Sequence, residues 1–192
     1  VACNAAGDIW RTHGQGVSRL VNSGWEAYPV ENLVTGVAEN IKIVGIAVAA
    51  DGKAWAASEH SVASFNGQVW KVYEIEGGFD QAQGVDIQVD SRGNPWVARG
   101  DGLSTFSGTK WTHYKLVGQV VKTMTIDAKD QIWVGTSSGL SKLSAQKKWQ
   151  EVPIPLEGKR SDNVLSIAVD TQGRVWLGTD CRSYHRKFRP DP

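Results

Sequence analysis

The sequence lacks most of the features that would announce a chemistry. Its charge is almost balanced, with 21 Lys and Arg against 20 Asp and Glu, so no global field argues for nucleic acid or anionic lipid as a partner. The apolar runs are too short to cross a bilayer, and membrane insertion is not expected. The chain opens at Val1 with no initiator Met and no secretory-type apolar segment, as expected of a mature product or of a piece of something longer. Two cysteines, Cys3 and Cys181, are too few for a disulfide framework and leave the compartment open. No HExxH, phosphate-binding loop, CxxC or serine nucleophile-elbow motif is assigned, and no helical periodicity competes for any long segment.

What is plentiful is tryptophan, nine residues, and glycine, 21 residues. Trp10, Trp55, Trp96, Trp133 and Trp176 form one series, spaced by 45, 41, 37 and 43 residues. Trp25, Trp70, Trp111 and Trp149 form a second, each following its partner by 15, 15, 15 and 16 residues. Two series in step mean an internal repeat.

The contexts repeat with them. Three residues before each first-series Trp stands Gly7, Gly52, Gly93, Asp130 or Gly173, where a tight hairpin needs positive φ. An alternating strand precedes each turn ("GIAVA", "VDIQV", "TMTID", "LSIAV"). Positions seven before Trp (Cys3, Val48, Val89, Ile126, Val169) and nine before (Val1, Ile46, Ile87, Met124, Ile167) share one face, expected to be buried. A third strand opens seven residues after Trp, at Val17, Val62, Leu103 and Leu140, and the second Trp lies in a fourth. Asp90, Asp127 and Asp170 recur at the end of the first strand, where turn capping is expected in preference to a calcium site.

Each unit is thus four antiparallel strands over about 40 residues, the signature of a β-propeller blade. The fold class expected is all-β: a propeller of five four-stranded repeat units, the fifth incomplete. It forms a single domain over residues 1–192, with blades near 1–30, 41–75, 84–116, 121–154 and 164–192. The tryptophans are expected to pack between blades in preference to forming sugar-stacking platforms.

The stretches "DAKDQIWVGTSSGL" and "DTQGRVWLGT" resemble the repeats of two-component-regulator propellers. Those repeats build extracytoplasmic sensor regions of bacterial hybrid histidine kinases and related secreted propellers. "DSRGNPWVARGDGL" keeps the pattern with Ala98 and Arg99 in place of Gly-Thr, and blades one and two keep only the Trp and the turn. The resemblance implies a periplasmic or secreted bacterial location and a sensor role. Rings of this kind usually carry more than five blades. The fifth repeat breaks after Thr179: Arg182 stands where a hairpin glycine is expected, and no second Trp follows. A third strand is expected around Tyr184–Phe188, and the open blade invites an oligomer.

Loops between second and third strands should share one face with the blade links. They supply the ligand-binding candidates His13, Gln15, Glu59, His60, Arg99, Asp101, Asp180 and Arg182. No catalytic residue, metal site or cofactor is assigned. Cys3 is expected to be a small buried hydrophobe and not to bridge to Cys181. The function expected is non-catalytic binding of a small molecule, glycan or protein, with no nucleic acid. The alternatives are a lectin-type propeller and an enzyme like the streptogramin lyases, whose repeats are similar in shape. In the enzyme reading His13 or His60 would be the general base.

Overall fold

A computed structural model of the chain describes residues 1–14, 16–34, 41–58, 61–74, 86–144, 146–154 and 163–180, and the backbone of 186–188. Its regular structure is almost wholly β. Sheet one contains β1 (Ala2–Cys3), β2 (Ile9–His13), β3 (Gly16–Val21) and β4 (Gly24–Pro29). A one-turn 3-10 helix at Val30–Asn32 follows. Sheet two contains β5 (Ile43–Val48), β6 (Ala54–Ser58), β7 (Ser61–Phe65) and β8 (Trp70–Glu74). Sheet three contains β9 (Asp86–Val89), β10 (Pro95–Arg99), β11 (Gly102–Phe106) and β12 (Trp111–Lys115). Sheet four contains β13 (Val121–Ile126), β14 (Ile132–Thr136), β15 (Gly139–Leu143) and β16 (Trp149–Val152). Sheet five has three described strands, β17 (Val164–Val169), β18 (Val175–Thr179) and β19 (Arg186–Phe188). In every sheet the strands pair in sequence order. This is a β-propeller of five repeat units with an incomplete fifth. The tail strand pairs Phe188 with Val175 and Arg186 with Leu177.

The first hairpin of each sheet is built the same way. The residue three before the Trp has positive φ in all five: Gly7 at 88°, Gly52 at 85°, Gly93 at 78°, Asp130 at 55° and Gly173 at 74°. At the strand end, Asp90, Asp127 and Asp170 cap the turn as expected. One Oδ1 accepts two backbone N–H groups in each case: Arg92 and Asn94, Lys129 and Gln131, or Gln172 and Arg174. The other oxygen does something more. It accepts the indole N–H six residues on, Asp90 from Trp96 at 3.1 Å, Asp127 from Trp133 at 3.0 Å and Asp170 from Trp176 at 3.2 Å. One carboxylate therefore fixes the turn and the tryptophan together. In sheet two the position is Ala49, and the buried Trp55 Nε1 has no partner among the described residues.

The chain divides into two compact units. One comprises Val1–Gln81, Val85–Val97 and Ser104–Thr112; the other comprises Ala82–Gly84, Ala98–Leu103 and His113–Pro192. Within each, sheets stack face on face. Every sheet has a leading face, which carries the first-series Trp, and a trailing face. In the first unit the leading face of sheet one (Trp10, Val17, Tyr28) packs on the trailing face of sheet two (Ile46, Val48, Ala54, Ala56, Phe65, Trp70). The leading face of sheet two (Ala47, Trp55, Ala57, Val62, Tyr73) packs on Ile87, Val97, Phe106 and Trp111 of sheet three. In the second unit Trp133, Leu140 and Val152 of sheet four pack on Val164, Val175, Leu177 and Val169 of sheet five. The tryptophans are packing residues: Trp10 meets Trp70 of the following sheet edge-on, with centroids 5.7 Å apart.

One expectation fails at the first strand. Val1 and Cys3 occupy the repeat positions that are buried in sheet two, yet both are exposed, Val1 by 91%. These positions lie on the trailing face, and no described sheet of their unit covers that face of sheet one. Only Ala2, on the leading side, reaches the core. Burial belongs to the neighbour, not to the repeat position.

Candidate functional site

The ends of the second strands carry the site. The position three after each first-series Trp is His13, Ser58, Arg99, Thr136 or Thr179. At Ser58 and Thr136 the hydroxyl serves the hairpin. Ser58 Oγ accepts the Ser61 N–H at 2.9 Å. Thr136 Oγ1 accepts the Ser138 N–H at 3.1 Å and lies 3.0 Å from the Gly139 carbonyl. The motif "WVGTSSG" thus encodes a capped β-turn. The letters Gly135-Thr136-Ser137-Ser138-Gly139 also spell G-x-S-x-G. Here they join two antiparallel strands, not a strand and a helix, so Ser137 is not on a nucleophile elbow.

In the second unit this hairpin is tied to the preceding link. Thr136 Oγ1 donates to Gln119 Oε1 at 2.7 Å, and the Ser137 N–H donates to the Val120 carbonyl at 3.0 Å. Gln119 Nε2 donates in turn to Glu151 Oε1 at 3.3 Å. Beside this chain lies an open cavity of about 390 Å³, lined by Gln119, Ser138, Leu140, Glu151, Val152 and Ile154 among others. Among the described residues its lining is apolar at Leu140, Val152, Pro153 and Ile154 and polar at Gln119, Ser138, Ser141 and Glu151, the last being the charged one. Such a volume suits a small ligand with one apolar face and several hydrogen-bond donors.

Of the residues expected from sequence, Arg99 and Asp101 share the hairpin of sheet three. Arg99 is buried and Asp101 is partly exposed. Asp101 Oδ2 lies 3.4 Å from His113 Nε2, its carbonyl accepts the Leu116 N–H at 2.8 Å, and the Gly100 carbonyl accepts the Val121 N–H at 3.0 Å. Asp101 therefore anchors the link that leads to Gln119. Asp180 accepts a hydrogen bond from Asn163 Nδ2 at 3.0 Å at the mouth of sheet five. His13 ends β2 in the first unit. Gln15, Glu59, His60 and Arg182 lie outside the described residues, as does Cys181. Among the described residues no group of three or more His, Cys, Asp and Glu could hold a metal ion. Nor, among them, is any helix long and apolar enough to cross a membrane.

Sequence reasoning did not pick out Gln119, Glu151 or His113. Each is an ordinary polar residue in a link or an edge strand, and no spacing marks it. The hydroxyl at Thr136 was the available signal, since a repeated Ser or Thr after a strand predicts a capped turn whose neighbours are ordered.

Comparison with known proteins agrees with this architecture. Residues 158–181 match the family model described as two component regulator propeller. No curated protein matches the chain. Solved structures that share the fold include the following three. An extracellular domain from B. thetaiotaomicron, described as part of a one component system, is 19% identical, with a TM-score of 0.70 over 98% of this chain and 26% of that one. Virginiamycin B lyase from Staphylococcus aureus is 14% identical, with a TM-score of 0.75 over 97% of this chain and 68% of that one. A gluconolactonase from Xanthomonas campestris is 13% identical, with a TM-score of 0.59 over 92% of this chain and 67% of that one. The chain spans about a quarter of the length of the Bacteroides domain. One fold here carries an extracellular domain and two enzymes, so the likeness speaks for architecture alone.

Proposed function

We propose that the chain is a non-catalytic recognition module, a ligand- or protein-binding propeller of the extracytoplasmic sensor type. The observation that carries this reading is the cavity of about 390 Å³ beside sheet four, with its mixed apolar and polar lining and its Gln119–Glu151 hydrogen bond. The Thr136 and Ser137 hydroxyls of the adjoining hairpin hold it against the link that carries Gln119, one of the lining residues. The Glu151 carboxylate, an acceptor in the lining, favours donor-rich ligands such as sugars and peptides. The matched repeat family and the extracellular domain of similar fold support a sensor role outside the cytoplasm.

The test is calorimetric titration with a panel of neutral disaccharides and short uncharged peptides. At least one should bind, and Gln119→Ala and Glu151→Ala should each weaken it about tenfold, the cost of a lost hydrogen bond to a charged or buried partner. Binding by no member of the panel, or binding indifferent to both substitutions, would overturn the reading. Turnover of a bound sugar or peptide would assign the fold's enzymatic alternative instead.

A further inference from the structure

The polar atoms of the cavity beside sheet four differ in what they have left to offer. All the residues that line it lie in one compact unit. Thr136 Oγ1 donates to Gln119 Oε1, and Gln119 Nε2 donates to Glu151 Oε1 at 3.3 Å, so both ends of the amide are engaged. Glu151 keeps its second oxygen. A carboxylate can only accept, and among the described residues no Lys, Arg or His forms an ion pair with Glu151.

Ser141 stands directly opposite Glu151 in the β15–β16 pair, so the two side chains leave the sheet on the same face. Its hydroxyl is buried, and among the described residues it has no hydrogen-bond partner. A buried hydroxyl in that state costs free energy until a water or a ligand supplies the partner. Directly opposed residues hold their Cβ atoms about 5 Å apart, a span that one nitrogen bridges with two hydrogen bonds. Next to this pair the lining is aliphatic at Leu140, Val152 and Ile154, and among the described residues it includes no aromatic ring. Acceptors beside aliphatic carbon suit a ligand that is a strong donor at one end and a hydrocarbon at the other.

We propose that this cavity takes a primary ammonium carried on an aliphatic chain. The nitrogen bridges the free Glu151 oxygen and the Ser141 hydroxyl, and the carbon chain lies against Val152 and Ile154. The assignment rests on the cavity being the recognition site proposed above, and it goes beyond that reading in giving the ligand a positive charge. Charge is what separates an ammonium from a neutral sugar at this site, because a hydrogen bond between two ions is about twice as strong as one between neutral groups. The N-terminus of a peptide with an aliphatic first residue and a free alkylamine share this chemistry, and a volume of about 390 Å³ admits either.

Calorimetric titration at about pH 6.5, where amines are protonated, tests it. The probes are leucinamide, 3-methylbutylamine, Leu-Gly-Gly amide and, as the neutral counterpart, N-acetylleucinamide. The free amines should bind, and N-acetylleucinamide should bind at least about tenfold more weakly. Glu151→Gln keeps an acceptor for Gln119 while removing the charge, and it should weaken each amine about tenfold. Ser141→Ala should weaken the amines severalfold yet leave the urea midpoint unchanged or higher, since it removes no bond within the described chain. Raising the salt to about 1 M should weaken the amines as well, because screening shortens the reach of an exposed carboxylate. Tighter binding of Leu-Gly-Gly amide than of 3-methylbutylamine assigns a peptide N-terminus, and the reverse order assigns a free amine; both orders support the proposal. Equal binding of leucinamide and its acetylated form overturns it, as does amine binding indifferent to Glu151→Gln. If a neutral disaccharide or an uncharged peptide binds and the amines do not, the ammonium assignment falls and the recognition reading stands. Silence from the amines and the neutral panel alike brings down both.

Discussion

At the scale of the residue, the repeated carboxylate is the informative group. Asp127 accepts two turn N–H groups and the indole of a buried Trp133, so Asp127→Ala removes three hydrogen bonds and strands a buried donor. The expected cost is about 3 kcal/mol, read as a lower urea midpoint. Asp170→Ala should cost clearly less, because the half-exposed Trp176 can turn to water; equal losses would mean that the indole bond is immaterial. Asp170 also titrates low. Burial at the strand end works to raise its pKa, but hydrogen bonds from Arg174, Trp176 and Gln172 outweigh this and hold the carboxyl well below the usual range. Asp8 is held low by its hydrogen bonds from Arg19 and Asn4. A lowered carboxylate stabilises the fold above its unfolded pKa and loses that contribution as pH falls through the folded value. Acid titration should therefore show stability falling below about pH 4, as the ordinary carboxylate range is left behind. Tyr28 behaves oppositely: burial first, then a hydrogen bond and charge from Glu26, push it up to about 12. Stability held below the ordinary tyrosine pKa of about 10 should be lost as pH rises through 12, together with ionisation of Tyr28 followed by ultraviolet absorbance. The turn-capping aspartates were legible in the sequence because they recur at one offset. Their second bond was not, although the six-residue interval to Trp was visible in all three repeats. An interval does not say which oxygen faces the indole.

At the scale of the element, the close approach of neighbouring sheets sets what the strands tolerate. Gly135 is the "G" of "WVGT", and a Cβ there would collide with Val164 and Thr123. Gly135→Ala should destabilise by about 1–3 kcal/mol in urea unfolding, the usual range for an overpacked core. Gly178→Ala should be close to neutral, since a serine side chain can rotate away. If the two lose equally, strand conformation and not sheet spacing demands the glycine. The strands themselves were readable from sequence, down to the third-strand starts, because alternation and turn residues are local. The burial of β1 was not, because alternation names the two faces of a strand without saying which has a neighbour. The rim around Gln119 escaped for a related reason: it is assembled by a link, a hairpin and an edge strand that the repeat pattern treats separately.

At the scale of the whole molecule, the number and kind of sheets follow from the tryptophan spacing, and that much was legible. The chemistry was not, because four of the eight expected site residues fall outside the described segments and Asp180 is not among the residues that line the cavity. Arg99 and Asp101 do share a hairpin, and Asp101 secures the link to the cavity rim. The five first-series indoles have a consequence for spectroscopy. They occupy one repeat position, and those of sheets one to four are shielded, while Trp176 is open to solvent. Emission excited at the red edge should therefore come chiefly from Trp176 and Trp25, and acrylamide should quench that component while leaving a blue-shifted remainder. The protein carries its own optical reporter of whatever settles on its last sheet.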